Sequence, residues 1–176
     1  MLSGTTVTLR PVRPDDLEQM YVWRIDLATW GDQTEEAPWP LPYAAYQRGK
    51  DEAALTADTG VTFAIEVAGT LVGRCGMFSF DHVARNAEVG LGLGPDHRGK
   101  GYGREVLGLL LDYGFTYRNL HRVWLQCSAG NGRAIRCYTA AGFVEEGRMR
   151  EHAWINGAYV DMVRMAVLRR DWEGTR

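Results

Sequence analysis

Three cysteines in 176 residues, none of them in a CxxC pair, leave this chain without a disulfide framework and without a zinc-type ligand pattern. Cys75, Cys127 and Cys137 are therefore expected as buried thiols, and no metal is expected. No apolar run reaches the ~18 to 20 residues that a membrane-crossing helix requires. The N-terminus Met1-Leu2-Ser3-Gly4 has no basic stretch followed by an apolar one, so a cytoplasmic protein with no membrane partner is expected. A basic surplus is missing too: 20 Lys and Arg stand against 22 Asp and Glu, a net charge of −2 with a pI near 6.1. A nucleic-acid footprint needs the opposite balance. Internal repeats and low-complexity segments are also absent. What remains, 45% hydrophobic and 24% charged, suits one globular domain over residues 1–176.

Within that domain, strand-like and helix-like stretches alternate. Thr5 to Arg10 alternates Val7 and Leu9 with polar residues, a strand, and Pro14-Asp15-Asp16 opens a helix to about Arg24. An irregular stretch with Trp30, Trp39 and three prolines precedes a helix from Tyr43 to about Thr56. Thr62–Val67 and Leu71–Phe80 read as strands joined at Ala68-Gly69-Thr70, and another strand spans Asn86–Leu93. Val106, Leu107, Leu110, Leu111, Gly114 and Tyr117 fall at helical spacing and predict one buried stripe. Arg122–Cys127 is a strand and Asn131–Ala141 a helix. Two last strands, Val144–Ile155 and Ala158–Leu168, turn at Asn156-Gly157.

Between the strand ending at Leu93 and the helix entered by Val106 lies Arg98-Gly99-Lys100-Gly101-Tyr102-Gly103. Glycine-rich backbone can turn tightly so that successive N–H groups converge, and the first N–H groups of the helix lack internal partners at the positive end of its dipole. A phosphate or diphosphate satisfies both. Gly94 to Lys100 matches a Walker A loop as far as its lysine, but Gly101 stands where Ser or Thr should ligate magnesium, and Pro95 removes one N–H. A dinucleotide fingerprint fits no better, because Val106 occupies its third small-residue position. The bland alternative is a solvated glycine turn.

The order Arg-x-x-Gly-x-Gly between strand and helix resembles the pyrophosphate loop of the GCN5-related N-acetyltransferases. Further along, Asn131-Gly132-Arg133-Ala134-Ile135-Arg136-Cys137-Tyr138 resembles that family's Asn-x-x-Ala/Ser-x-x-x-Tyr helix, followed by its Gly-Phe pair, Gly142-Phe143. One helix and one strand separate the motifs, and a right-handed crossover sets the two helix starts side by side. The resemblance implies an α/β (α+β) fold: a mixed, mostly antiparallel sheet of about seven strands opened between its fourth and fifth, with about four helices. It also implies acetyl-CoA as cosubstrate, held by Leu91, Gly92, Leu93, Arg98, Gly99, Lys100, Gly101, Tyr102, Gly103, Arg104, Asn131 and Ala134.

Moving an acyl group from a thioester to an amine requires a deprotonated amine, a polarised carbonyl and a proton for the departing thiolate. By resemblance, Tyr138 is the acid; a phenol ordinarily titrates near ~10 and is protonated at neutral pH. Its structural alternative is a ring packed on the sheet. Asn131 can contact the cofactor, cap the helix, or both. Glycines at positions 90, 92 and 94 suit a bulge or a close backbone approach, and an N–H near Leu91 is placed to polarise the carbonyl. Related enzymes use a glutamate in the region of Glu88 as base. Strand alternation puts Glu88 with Gly90 and Gly92, away from Val89, Leu91 and Leu93. His97 ranks second as base, and a solvated carboxylate is the alternative reading of Glu88. Cys127 and Cys137 have no evident activating base, so direct transfer is expected.

Within the family, Asp112-Tyr113-Gly114-Phe115, Asn119-Leu120, Glu146-Gly147 and Ile155-Asn156-Gly157-Ala158-Tyr159 resemble the ribosomal-protein alanine acetyltransferases and, more closely, the spermidine acetyltransferases. That implies a small polyamine-like amine, with aminoglycosides and protein N-termini as alternatives. Trp30, Glu35, Glu36 and Trp39 are the candidate amine contacts, since carboxylates and aromatic faces bind cations; the same tryptophans also suit anchoring of the first helices. Edge strands near Val160, Met162 and Met165 suggest a homodimer. The competing classes are an acyl-CoA-binding sensor and a nucleotide hydrolase.

Overall fold

The computed structural model describes residues 1–30, 38–54 and 60–174. Its strands form one eight-stranded sheet in the order β1-β2-β3-β4-β5-β6-β8-β7. They are β1 Leu2–Ser3, β2 Val7–Pro11, β3 Gly60–Val67, β4 Thr70–Asp81, β5 Asn86–Leu93, β6 Arg122–Ser128, β7 Val144–Ile155 and β8 Ala158–Leu168; the helices are α1 Asp16–Ile25, α2 Tyr43–Ala54, α3 Tyr102–Asp112, α4 Gly132–Ala140 and α5 Arg169–Glu173. The strand beyond the expected seven is Leu2–Ser3, added by pairing Leu2 with Leu9 and Ser3 with Thr8. Only β5 and β6 run parallel, the geometry that the α3 crossover between them imposes. Both predicted hairpins turn on two residues with positive φ, Ala68 (48°) with Gly69 (78°) and Asn156 (51°) with Gly157 (84°).

The sheet separates two apolar layers. On one face, α3 buries Val106, Leu107, Leu110 and Leu111 against Val7, Leu9, Ile65, Met77 and Val89. Full burial of each such side chain contributes roughly 1.5–3 kcal/mol. On the other face, Leu17 and Met20 of α1 and Tyr46 of α2 close over Ala64. The predicted α3 stripe departs at its end. A π-helical turn over Tyr113–Tyr117 inserts one extra residue, so Gly114 and Phe115 point inward while Tyr117 is 70% exposed.

Two arginines pin elements to the sheet. Arg10 is 4% exposed and donates from both terminal nitrogens to Asp16, at 2.6 and 2.8 Å, and from Nε to Glu66. That fork ties the start of α1 to β2 and β3. Arg169 donates to the carbonyls of Leu120 (2.8 Å) and Phe115 (2.5 Å) and to Asn119 Oδ1, holding the π turn and the loop after it to the end of β8.

Candidate active site

The site begins where the sheet opens. β5 pairs with β6 only through Asn86↔Arg122, Ala87↔Val123 and Glu88↔Trp124. Beyond that point β5 stays with β4 as far as Gly73↔Leu93, while β6 stays with β8 as far as Ser128↔Met162. The backbone edge of residues 89–93 that faces β6 is thereby left for a ligand, the splay that the family resemblance implies. The bulge expected with it lies elsewhere: the register of β5 against β4 is regular from Leu93 to Glu88 and shifts between Phe78 and Asp81, where Ser79 has φ of 52°. The irregularity belongs to β4 because that strand carries the extra residue.

At the far end of β5 the chain turns through a short 3₁₀ segment, Pro95–His97, into α3. Arg98 Nε donates to the Leu93 carbonyl at 3.1 Å, folding the loop back on its strand. Gly99 and Gly101 adopt φ of 77° and 85°, which L side chains rarely take. Gly101 is the N-cap of α3 and offers no side-chain cap, so the first N–H groups of the helix are presented to whatever lies in front of it. Gly103 is buried beneath α4: a Cβ there would sit 3.2 Å from Cys137 Sγ.

Helix α4 starts beside α3. Asn131 caps it, its Oδ1 accepting from Ala134 N–H at 3.1 Å, so its capping role is observed directly. Ala134 and Tyr138, four residues apart, share the helix face turned to the opening. The Tyr138 ring is tilted against Phe143 at 6.1 Å, and Phe143 N–H donates to the Tyr138 carbonyl.

One cavity of about 380 Å³ joins these parts. Of the predicted cofactor residues it is lined by Leu91, Gly92, Leu93, Arg98, Gly99, Gly101, Tyr102, Gly103, Arg104, Asn131 and Ala134, and also by Tyr138. Lys100 is exposed and does not line it. Sequence reasoning missed Met20, Trp23, Thr29 and Arg74 on the α1 side, and Arg133, Arg136 and Cys137 on α4. Arg133 carried a readable signal, for a cation in the first turn of a helix opposes its dipole and costs stability unless an anion is near. Trp23 carried none. Its indole packs so closely on Gly94 that a Cβ there would lie 2.5 Å from Cζ2, a long-range contact. Together the loop amides and Arg98, Arg104, Arg133 and Arg136 fit a ligand with several phosphates, while Leu91 and Leu93 fit an apolar arm.

The remaining candidates divide. Glu88 does not line the cavity; it is half-buried on the opposite face of β5, at the vertex of the splay. His97 meets Trp23 edge-on at 6.3 Å, a packing contact in the loop. Trp30 is 3% exposed beneath the Arg24 guanidinium, 4.0 Å away, and Trp39 is 49% exposed. Glu35 and Glu36 lie outside the described residues. Cys75 and Cys127 are buried thiols as expected, but Cys137 is only half-buried because it faces the cavity. Burial raises the pKa of all three, Cys127 to about 11, and Arg104 only partly offsets the rise at Cys137. A thiol held protonated is a poor nucleophile, which favours direct transfer. Among the described residues no group of three His, Cys, Asp or Glu is placed to hold a metal ion, and no helix is long and apolar enough to cross a membrane.

An anion seat at a helix start, opening into a gap between two parallel strands that carries a phenol, defines an acyl transferase fed by a phosphate-bearing thioester carrier. Residues 6–144 match the acetyltransferase (GNAT) domain, and the chain belongs to that family. It is an acetyl-CoA-dependent N-acetyltransferase with the mixed α/β fold of that family. The chain is 29% identical to the spermidine N(1)-acetyltransferase of Escherichia coli K12, over 98% of its own length and 91% of that protein's. The match to the Vibrio cholerae spermidine N(1)-acetyltransferase is 38% over 99 residues and spans 57% of that protein. A putative ribosomal N-acetyltransferase of Bacillus subtilis is 31% identical over 66% of this chain and 64% of that protein. Among solved structures, the V. cholerae spermidine N-acetyltransferase in complex with CoA and spermine superposes with a TM-score of 0.89 at 28% identity, covering 97% of this chain and 99% of that one.

Proposed function

We propose that the whole chain works in the cytoplasm as one domain, acetylating a primary amine of the polyamine class by direct transfer in a ternary complex. The single observation that carries the mechanism is the splay itself, with Tyr138 lining the gap on one side and Glu88 at its vertex on the other. Acetyl-CoA, when bound, supplies a thioester-activated acetyl group. The loop N–H groups and Arg98 hold its diphosphate, and Arg104, Arg133 and Arg136 balance its further charge. An unpaired β5 N–H near Leu91 polarises the acyl oxygen. Glu88 accepts the proton that the substrate ammonium loses, and the Tyr138 hydroxyl donates one to the leaving sulfur. The polyamine assignment is supported by the two spermidine acetyltransferase relatives and by the spermine in the V. cholerae structure. A homodimer through the β7 edge accords with Val144 and Trp154, which are 64% and 57% exposed; β8 is interior, between β6 and β7, and Met162 and Met165, expected near an edge from the sequence, are buried in the core instead.

The deciding measurement is coenzyme A release with spermidine, spermine, aminoglycosides and alanine- or serine-starting peptides. Spermidine and spermine are expected to give the highest kcat/KM; a clear preference for peptides would replace this substrate with a protein N-terminus. Binding of acetyl-CoA without turnover of any amine would leave a sensor instead. Arg98→Ala is expected to weaken acetyl-CoA binding by about 1–3 kcal/mol, the range for a lost charge-assisted bond. Calorimetry reads this directly, and an unchanged Kd would remove the loop from the cofactor site.

A further inference from the structure

We infer that Phe78 and Trp124 form an aromatic seat for the substrate ammonium on either side of Glu88, which deepens the amine-acetylation reading and rests on it. Across the sheet the registers are Phe78↔Glu88 and Glu88↔Trp124, so the three residues stand in one row. Directly opposed side chains share a face, with Cβ atoms about 4.5–5.5 Å apart. This is the face that carries Gly90 and Gly92, opposite Val89, which packs in the core with α3.

Both rings reach diagonally across β5, one to each side of Glu88 along the strand. The end of the Phe78 ring lies 3.0 Å from where a Cβ on Gly90 would stand, so the ring leans across β5 over position 90, the next residue after Glu88 on that face, and a side chain at 90 would have to shift it. Trp124 Nε1 donates to Asn86 Oδ1 at 3.3 Å, drawing the indole onto β5 from the other side. Arg164 stacks at 4.4 Å on the indole and donates to Gln126, which holds the ring plane from β8. Phe78 remains 39% exposed in the middle of the sheet, a placement for which core packing gives no reason.

A carboxylate between two aromatic rings attracts an ammonium through charge and through the ring quadrupoles, and the same carboxylate then receives its proton. The row stands at the last β5–β6 pair, so an amine seated there meets the acyl group emerging from the gap. The chemical class recognised is therefore an alkylammonium end.

The test uses choline, a cation that cannot be acetylated on nitrogen, and its neutral isostere 3,3-dimethylbutan-1-ol, with CoA-loaded protein and saturation-transfer NMR. Choline is expected to bind and to compete with spermidine, and the isostere to bind far more weakly. Phe78→Ala and Trp124→Leu are each expected to weaken choline, and to raise the KM of the amine, by roughly five- to thirty-fold. The KM of acetyl-CoA should change less than two-fold, and Trp124→Phe should recover most of the loss. Equal binding of choline and the isostere, or an amine KM that neither variant changes, would overturn the seat while leaving acetyl transfer intact. Absence of turnover with every amine would instead defeat the acetyl-transfer reading, and the NMR comparison would still decide the seat.

Discussion

Tyr138→Phe is expected to lower kcat with spermidine by about 10²- to 10⁴-fold, the range for loss of a positioned general acid, and to leave the Kd of acetyl-CoA within two-fold. The substitution removes one hydroxyl and keeps the ring that packs on Phe143, so the contact between α4 and the strand after it survives. A purely structural tyrosine would show the opposite pattern, with a lower Tm and near-normal turnover. Rapid-quench single turnover alongside calorimetry separates the two. Near-normal kcat would transfer the proton-donor role to another group or to water.

The second large effect concerns stability. Asp16→Ala is expected to cost about 3–5 kcal/mol, because it leaves the Arg10 guanidinium buried without its two-bond partner, with Glu66 and the Pro11 carbonyl remaining. For a chain of this length that is a fall in Tm of roughly 6–20 °C. The same pair makes stability depend on acid. Hydrogen bonding from Arg10 holds the Asp16 carboxyl below its ordinary value, against the opposing effect of burial. The unfolded chain therefore binds the proton more readily than the folded one. The contribution is full above the ordinary carboxylate range, near pH 4, and is lost as pH falls below it through the folded value. Urea unfolding of wild type and Asp16→Asn should show a gap that is constant above about pH 4 and narrows as pH falls below it. A constant gap would mean that Asp16 acts by packing alone.

The glycine loop and the Asn131–Tyr138 helix were readable because their chemistry is local. A positive φ, an uncapped helix start and an i, i+4 pair are properties of consecutive residues. The register of β5 was readable for the same reason, since alternation alone separates Glu88, Gly90 and Gly92 from the buried Val89. By contrast, Trp30 looked like an amine contact because an aromatic in an irregular stretch carries no period, and only its burial under Arg24 shows it as a packing residue. Tyr117 was misplaced because one inserted residue in a π turn leaves no trace in spacing that still fits a helix.

Apart from the short β1 and α5, the order of elements followed from the amino-acid sequence by itself, as did both hairpin turns and the glycine loop before α3, for these depend on torsional preference and on periodicity within a few residues. Tertiary structure decided where β5 and β6 part company, which arginines crowd the cavity mouth, and that Trp23 lies against Gly94. It also decided that Phe78 and Trp124 flank Glu88. Such contacts join residues tens of positions apart, and what selects them is the shared burial of surfaces that no local pattern encodes.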